Sequence, residues 1–302
     1  MGEKDLSEKY LESYNDVFAD ILNVLLFDGK EQIKPSELSK TITETQYKAD
    51  GKPHEQRRDI AKLWENQKTE LVLIGLENQT DIDKDMLFRV MGYDGAYYRA
   101  QLIKDKKERY PVVTIVLYFG MDRWDGATSL YEAVSIPEEM KAYINDYKIH
   151  VFEIAYLTEE QVNSFQSDFR FVADYFVQRR KNKDYVPSKG TIQHVDALLQ
   201  MMAALTHDKY FEEISGTWEG ENVGMGELLL ERIEQRGEQR GKQKTLISLI
   251  CKKIVKGKTP EIIADELEEE EEVIQEIYDI ALAFAPDYDC NAIYEAWKAK
   301  RE

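Results

Sequence analysis

The alternation of apolar and polar positions along the chain divides it into readable elements. From Lys9 to Phe27, Leu11, Tyr14, Phe18, Ile21, Leu22 and Leu25 recur at steps of three and four. This is the single apolar stripe of an amphipathic helix. Asp16, Asp20 and Asn23 fall on its opposite side, and Asp28-Gly29 supplies a turn that ends it. A polar stretch with Pro35, Gly51 and Pro53 follows. Residues 59–79 then read as a β-hairpin. Asp59 to Trp64 is one arm, Glu65 to Thr69 is polar and suits a turn, and Leu71-Val-Leu-Ile-Gly-Leu76 is a continuous apolar run. Such a run fits a strand buried on both faces. Asp83 to Lys104 reads as a helix, interrupted in pattern by Gly92 and Gly95. Pro111 to Phe119 and Ile149 to Ile154 read as two further strands. Beyond Thr158 the pattern is helical, over Glu160–Arg180 and Ile192–Tyr210. Four glycines between Ser215 and Gly226 mark a boundary. Thr259-Pro260 then opens a helix with a hydroxyl and a first-turn proline, and two short helices are expected around an acidic turn.

Composition narrows the class. The 302 residues are 43% hydrophobic and 11% aromatic, enough for a packed core and too rich for a disordered chain. No run of apolar residues is long enough for a membrane span, and the first residues lack the apolar segment of a secretory signal. Cys251 and Cys290 stand alone, with no paired-cysteine metal motif, which fits a reducing cytoplasm. The net charge of −18 argues against a protein that coats nucleic acid without specificity. That charge is unevenly spread. Residues 261–280 hold ten acids and no base, whereas residues 236–258 hold eight bases and one acid.

Candidate chemistry lies in the hairpin. With its turn centred near Gln67-Lys68, antiparallel partners have numbers adding to about 136, which sets Asp59 opposite Glu77. Glu77 and Gln79 share a strand face. Three oxygen-bearing side chains then converge at one end of a two-stranded ribbon. Paired carboxylates are hard ligands for Mg²⁺ or Mn²⁺, and such an ion can activate water and neutralise a phosphodiester. Polar groups at strand ends also serve simply to meet solvent, and a slip of one residue would separate the pair.

Several segments in order strengthen the first reading: Asn15-Asp-Val-Phe-Ala-Asp-Ile-Leu-Asn23, Arg57-Arg-Asp59, Ile74-Gly-Leu-Glu-Asn-Gln-Thr80 and Arg89-Val-Met-Gly-Tyr-Asp-Gly95. Pro111 to Gly120 with Trp124-Asp-Gly126, and Ser167-Asp-Phe-Arg-Phe-Val172, complete the set. Over roughly residues 10–180 the chain resembles the bacterial recombination-promoting nuclease (Rpn) and putative transposase family, within the PD-(D/E)XK nuclease superfamily. The resemblance implies an α/β fold with an α-β-β-β-α-β core and a mixed sheet flanked by helices. It also implies a metal-dependent DNA endonuclease. Asp59 matches the family's Asp and Glu77 its Glu, as metal ligands for Mg²⁺ or Mn²⁺. Gln79 stands where the superfamily usually has Lys; it can orient water or phosphate but carries no charge. An acid on the first helix often assists, and Asp16 and Asp20 are the candidates.

Arg57, Arg58 and Lys62 flank Asp59 and are candidates to steer a phosphate, with solvated surface charge as the plainer alternative. The four histidines have no metal spacing, and Tyr93, Tyr97 and Tyr98 suit packing or nucleic-acid contact. The expected organisation is a nuclease-like domain over residues 1–215 and a helical tail over residues 216–302. Leu246, Ile247, Ile250 and Ile254 follow helical spacing in that tail and require cover, which points to a helical partner or a second copy. The expected partner of the body is DNA. A catalytically inactive interaction protein that keeps the fold is the alternative, favoured by Gln79 and by the charge.

Overall fold

The computed structural model describes residues 10–41, 44–49, 52–57, 59–66, 71–103, 109–181, 185–215 and 223–301. The chain divides into two compact units, Met1–Gly226 and Glu227–Glu302. The first unit extends past residue 215 because Val223–Gly224 pairs with Thr191–Ile192.

The helix expected over Lys9–Phe27 is broken. A 3-10 turn covers Leu11–Ser13, Tyr14 is extended, and α1 runs over Asn15–Phe27. The break is made by tertiary contacts that no periodicity records. The Lys62 ammonium takes the Ser13 carbonyl at 2.7 Å and Asn15 Oδ1 at 2.5 Å, and Asn15 Nδ2 donates to the carbonyls of Pro35 and Leu38. α1 ends at Asp28, whose φ of 53° is left-handed, followed by Gly29 at 78°.

The polar stretch after α1 is more structured than its composition suggests. It holds β1 (Leu38–Lys40) and a hairpin of β2 (Glu44–Ala49) and β3 (Lys52–Arg57). β4 (Ile60–Glu65) and β5 (Leu71–Gln79) form the expected hairpin, in the expected register: Ile60 pairs with Leu76, Ala61 with Gly75 and Glu65 with Leu71. Its turn at Gln67-Lys68 lies outside the described residues. α2 spans Met86–Ile103, and β6 (Val112–Tyr118) and β7 (His150–Glu153) follow. The sheet order is β1-β4-β5-β6-β7, with β1, β4 and β5 antiparallel and β5, β6 and β7 parallel. Leaving aside the β2–β3 hairpin, the succession α1, β1, β4, β5, α2, β6 is the α-β-β-β-α-β core of a PD-(D/E)XK-like fold.

Both faces of the central strands are covered, which is why β5 and β6 read as unbroken apolar runs. α1 contributes Val17, Phe18, Ile21 and Leu22 to the core. α2 packs Met86, Leu87 and Val90 with Val116 and Ile149, and Tyr97 with Ala61 and Leu73. Each helix predicted after Thr158 is divided: α3 (Glu159–Ser164) and α4 (Phe169–Arg180), then α5 (Val195–Thr206) and α6 (Lys209–Ser215). Thr158 caps α3 through the Gln161 N–H, and left-handed His207 ends α5.

The second unit is built from α7 (Leu230–Ile254), α8 (Pro260–Leu267), α9 (Glu271–Leu282) and α10 (Cys290–Arg301). The two short helices flank Glu268–Glu270, as the acidic turn predicted. Ile247, Ile250 and Ile254 are buried against Ile263, Ile274, Ile277, Ile293 and Trp297, so the tail's own helices cover that stripe. No helix among the described residues is long and apolar enough to cross a membrane.

Candidate functional site

Side chains alternate across a strand, so the observed register sorts the hairpin into two faces. Lys62, Leu76 and Asn78 share the face toward α1; Ala61, Leu73, Glu77 and Gln79 share the face toward α2. Asp59 sits in the bend just before β4. Its backbone N–H donates to Glu77 Oε2 at 3.4 Å, and its Oδ2 accepts the Asn78 N–H at 2.8 Å. The chain thus brings Asp59 and Glu77 together at the end of the sheet, with Gln79 one pleat further along. Gln79 is half-buried, and its amide has no hydrogen bond within the protein among the described residues.

Glu77 is 1% exposed, and α2 supplies its partners. Arg89 Nη2 donates to Glu77 Oε1 at 2.6 Å, and the Tyr93 hydroxyl donates to the same oxygen at 3.4 Å. Arg89 Nη1 reaches Asp83 Oδ2 at 2.6 Å, while its Nε and Nη2 donate to the Tyr93 oxygen at 3.3 and 3.1 Å. Burial works against the charged guanidinium, but Asp83, Glu77 and Tyr93 outweigh it and hold Arg89 firmly protonated. Burial, and then the Glu77 charge, push the Tyr93 phenol upward. Arg89 and Tyr93 are one helical turn apart, so a strand ending in Glu-x-Gln followed by Arg-x-x-x-Tyr on the next helix is the signal for this cluster.

Other sequence candidates lie elsewhere. Lys62 is 1% exposed and on the α1 face, so it does not meet a phosphate beside Glu77; it holds the start of α1 instead. Asp16 pairs with His194 Nε2 at 3.0 Å, and that ring stacks on Tyr14 at 3.7 Å between centroids. Asp20 accepts the N–H groups of Gln166 and Ser167, which orients the approach to α4. Neither acid joins the Asp59–Glu77 pair: both serve the packing of α1 on the helical layer. The acid of the first segment that does reach β5 is Glu12, fully buried, whose Oε2 accepts from Asn78 Nδ2 at 2.9 Å. Arg58 and the side chain of Arg57 lie outside the described part of the structure. A cavity of about 500 Å³ lies beside α1, lined by Asp16, Asp20, Glu31 and Gln193 among others, and includes none of Asp59, Glu77 and Gln79.

The donor set at the sheet end fits a small hard cation. Two carboxylates are adjacent, and Mg²⁺ or Mn²⁺ keeps several waters and takes one or two protein carboxylates rather than a full cage. Among the described residues no group of three or more His, Cys, Asp or Glu is arranged as a metal site, so water or substrate would complete the shell.

The family of putative transposases, YhgA-like, matches residues 61–208. Those residues belong to that family. The match covers Glu77, Gln79, Arg89 and Tyr93 and begins two residues beyond Asp59. It bears out the Rpn resemblance drawn from the ordered motifs, and with it a function of nuclease or transposase type. No curated protein and no solved structure matches the chain.

Proposed function

We propose that the transposase-family domain is a metal-dependent DNA endonuclease that hydrolyses phosphodiester bonds. One observation carries the reading: the register that sets Asp59 beside Glu77 at the end of the mixed sheet, with Gln79 on the Glu77 face. Asp59 and Glu77 would hold Mg²⁺ or Mn²⁺, which supplies an activated water and offsets charge on the phosphate. Gln79 would orient that water or a phosphate oxygen through its amide. DNA is the proposed partner of the first unit. A second copy, meeting through the tail helices, is the proposed partner of the second.

Plasmid nicking in Mg²⁺ or Mn²⁺, with and without EDTA, tests this. EDTA is expected to stop nicking, and Asp59→Ala and Glu77→Ala are each expected to lower it by about 100-fold or more. Both variants are expected to keep the wild-type circular dichroism. Wild-type nicking in both would remove the assignment. The rival reading is a nuclease fold kept for interaction alone. It is favoured by a neutral Gln79 and by a Glu77 oxygen already committed to Arg89. EDTA-insensitive, background-level nicking by the wild type would establish it.

A further inference from the structure

Arg89 makes a salt bridge that bears directly on how the carboxylate pair is used. Its guanidinium lies 2.6 Å from Glu77 Oε1, so it occupies one of that oxygen's lone pairs and neutralises the charge that a cation needs. A dication beside Asp59 and Glu77 is also repelled by a guanidinium bonded to one of its own ligands. One oxygen of Glu77 is thus held by an organic cation from α2.

The rest of the Arg89 environment makes that occupancy reversible. Its side chain is 39% exposed, although Glu77 is buried. The other arm of the fork is anchored by Asp83 at 2.6 Å, itself partly exposed, and Asp83 is held low by this contact against the effect of its own burial. Leaving Glu77 therefore does not strip the guanidinium of all its partners. A phosphodiester offers two oxygens that a planar fork of N–H donors takes together, whereas Glu77 offers Arg89 a single one. Gln79, on the same face, offers an amide and no charge.

We infer that Arg89 is a substrate-phosphate ligand that guards Glu77: a bound phosphodiester draws the guanidinium off Glu77 Oε1 and removes its opposition to the divalent ion. Metal and DNA then bind with positive coupling, each raising the affinity for the other by the same factor. This rests on the metal-dependent nuclease reading above and adds the order in which the site fills.

The test is a Mn²⁺ titration by calorimetry of the full chain and of Arg89→Gln, each with and without a short phosphorothioate duplex. For the wild type, the duplex is expected to tighten Mn²⁺ binding by about tenfold. Arg89→Gln is expected to bind Mn²⁺ about tenfold more tightly than the wild type when no duplex is present, and to lose most of the coupling. Its affinity for the duplex alone should fall. Arg89→Lys keeps a charge without the fork. It should retain wild-type Mn²⁺ affinity and show weakened coupling, which keeps the test decisive if the glutamine variant misfolds. Equal Mn²⁺ affinity in wild type and Arg89→Gln, at a site that Glu77→Gln removes, would overturn the role of Arg89 and leave the nuclease reading intact. No Mn²⁺ site sensitive to Glu77→Gln in any of these proteins would overturn both.

Discussion

At the scale of single residues, Lys62 shows how one side chain joins local conformation to the sheet. Its ammonium is buried on the α1 face of β4, 5.0 Å from the centre of the Phe18 ring, with the Ser13 carbonyl and Asn15 Oδ1 as acceptors. Burial, with a smaller contribution from Lys40, lowers its pKa from 10.5 to about 8. The folded state thus binds fewer protons than the unfolded chain between those two values, so stability rises with pH across that window. Below about pH 8 both states are protonated and the buried charge opposes folding in full. Lys62→Met removes this dependence. Relative to that variant, the wild type is expected to gain about 3 kcal/mol between pH 8 and 10.5, read from urea unfolding at each pH. A constant difference between the two proteins would refute a depressed Lys62. The same side chain explains a departure from the sequence reading. Basic residues beside Asp59 looked available for phosphate, but a strand's period of two sends residue 62 to the face opposite Glu77.

At the scale of elements, β4 to β7 kept the form that their patterns predicted, while the first helix and those after Thr158 were divided. Tyr14 interrupts the first helix where Lys62 takes the Ser13 carbonyl and where the Asn15 side chain, also bonded to Lys62, is drawn to the carbonyls of Pro35 and Leu38. The gap between α3 and α4 carries the N–H groups that Asp20 accepts. Asp168, 3% exposed at the start of α4, accepts the N–H groups of Gln193 and His194 and so ties α4 to the entry of α5. The end of β6 depends on a missing side chain. A Cβ at Gly120 would lie 2.0 Å from the Tyr118 hydroxyl and 2.1 Å from the ring carbon bearing it. Tyr118 is 2% exposed, edge-on to Trp124, and paired with Gln79 across β5 and β6. Gly120→Ala must displace that ring, at an expected cost of about 1–3 kcal/mol. Chemical denaturation should show a lower midpoint with an unchanged slope. Unaltered stability would mean that the ring has another place to go.

At the scale of the molecule, the two units rest on separate cores. Within residues 227–302, Ile247, Ile250, Ile263, Ile274, Ile277 and Ile293 are fully buried among residues of the same segment. The basic and acidic stretches of the tail meet within it. Lys253 and Lys258 both bond to Glu266 and hold its carboxyl at about 2, and Arg240 pairs with Glu295. A chain ending at Gly226 is therefore expected to melt cooperatively and to nick plasmid DNA as the full chain does. Residues 227–302 alone are expected to give a helical spectrum with a cooperative melt. Leu249, Val255, Ile262 and Leu282 are exposed apolar positions among the tail's described residues, through which the proposed meeting with a second copy would run. Light scattering of the full chain and of the chain ending at Gly226 should show a larger species only for the former. Equal molar mass per chain in both would place any assembly outside the tail.

The sequence by itself determined β4 to β7 and the register of the β4–β5 hairpin. β5 and β6 are continuous apolar runs bounded by polar turns, and a hairpin's register follows from its arms and turn, so Asp59 and Glu77 were legible as neighbours before any fold was known. The apolar stripe of α7 was legible from helical spacing, but the sequence assigned its cover to a partner, whereas the tail's own helices supply it. The tertiary structure alone decided what surrounds the pair. Arg89 reaches Glu77 only because a parallel crossover returns α2 along the face of β5, and Glu12 reaches Asn78 only because the first segment packs on the other face. Local pattern carries periodicity along one element. It does not carry the packing of one element on another, and that packing determines which cation meets a buried carboxylate.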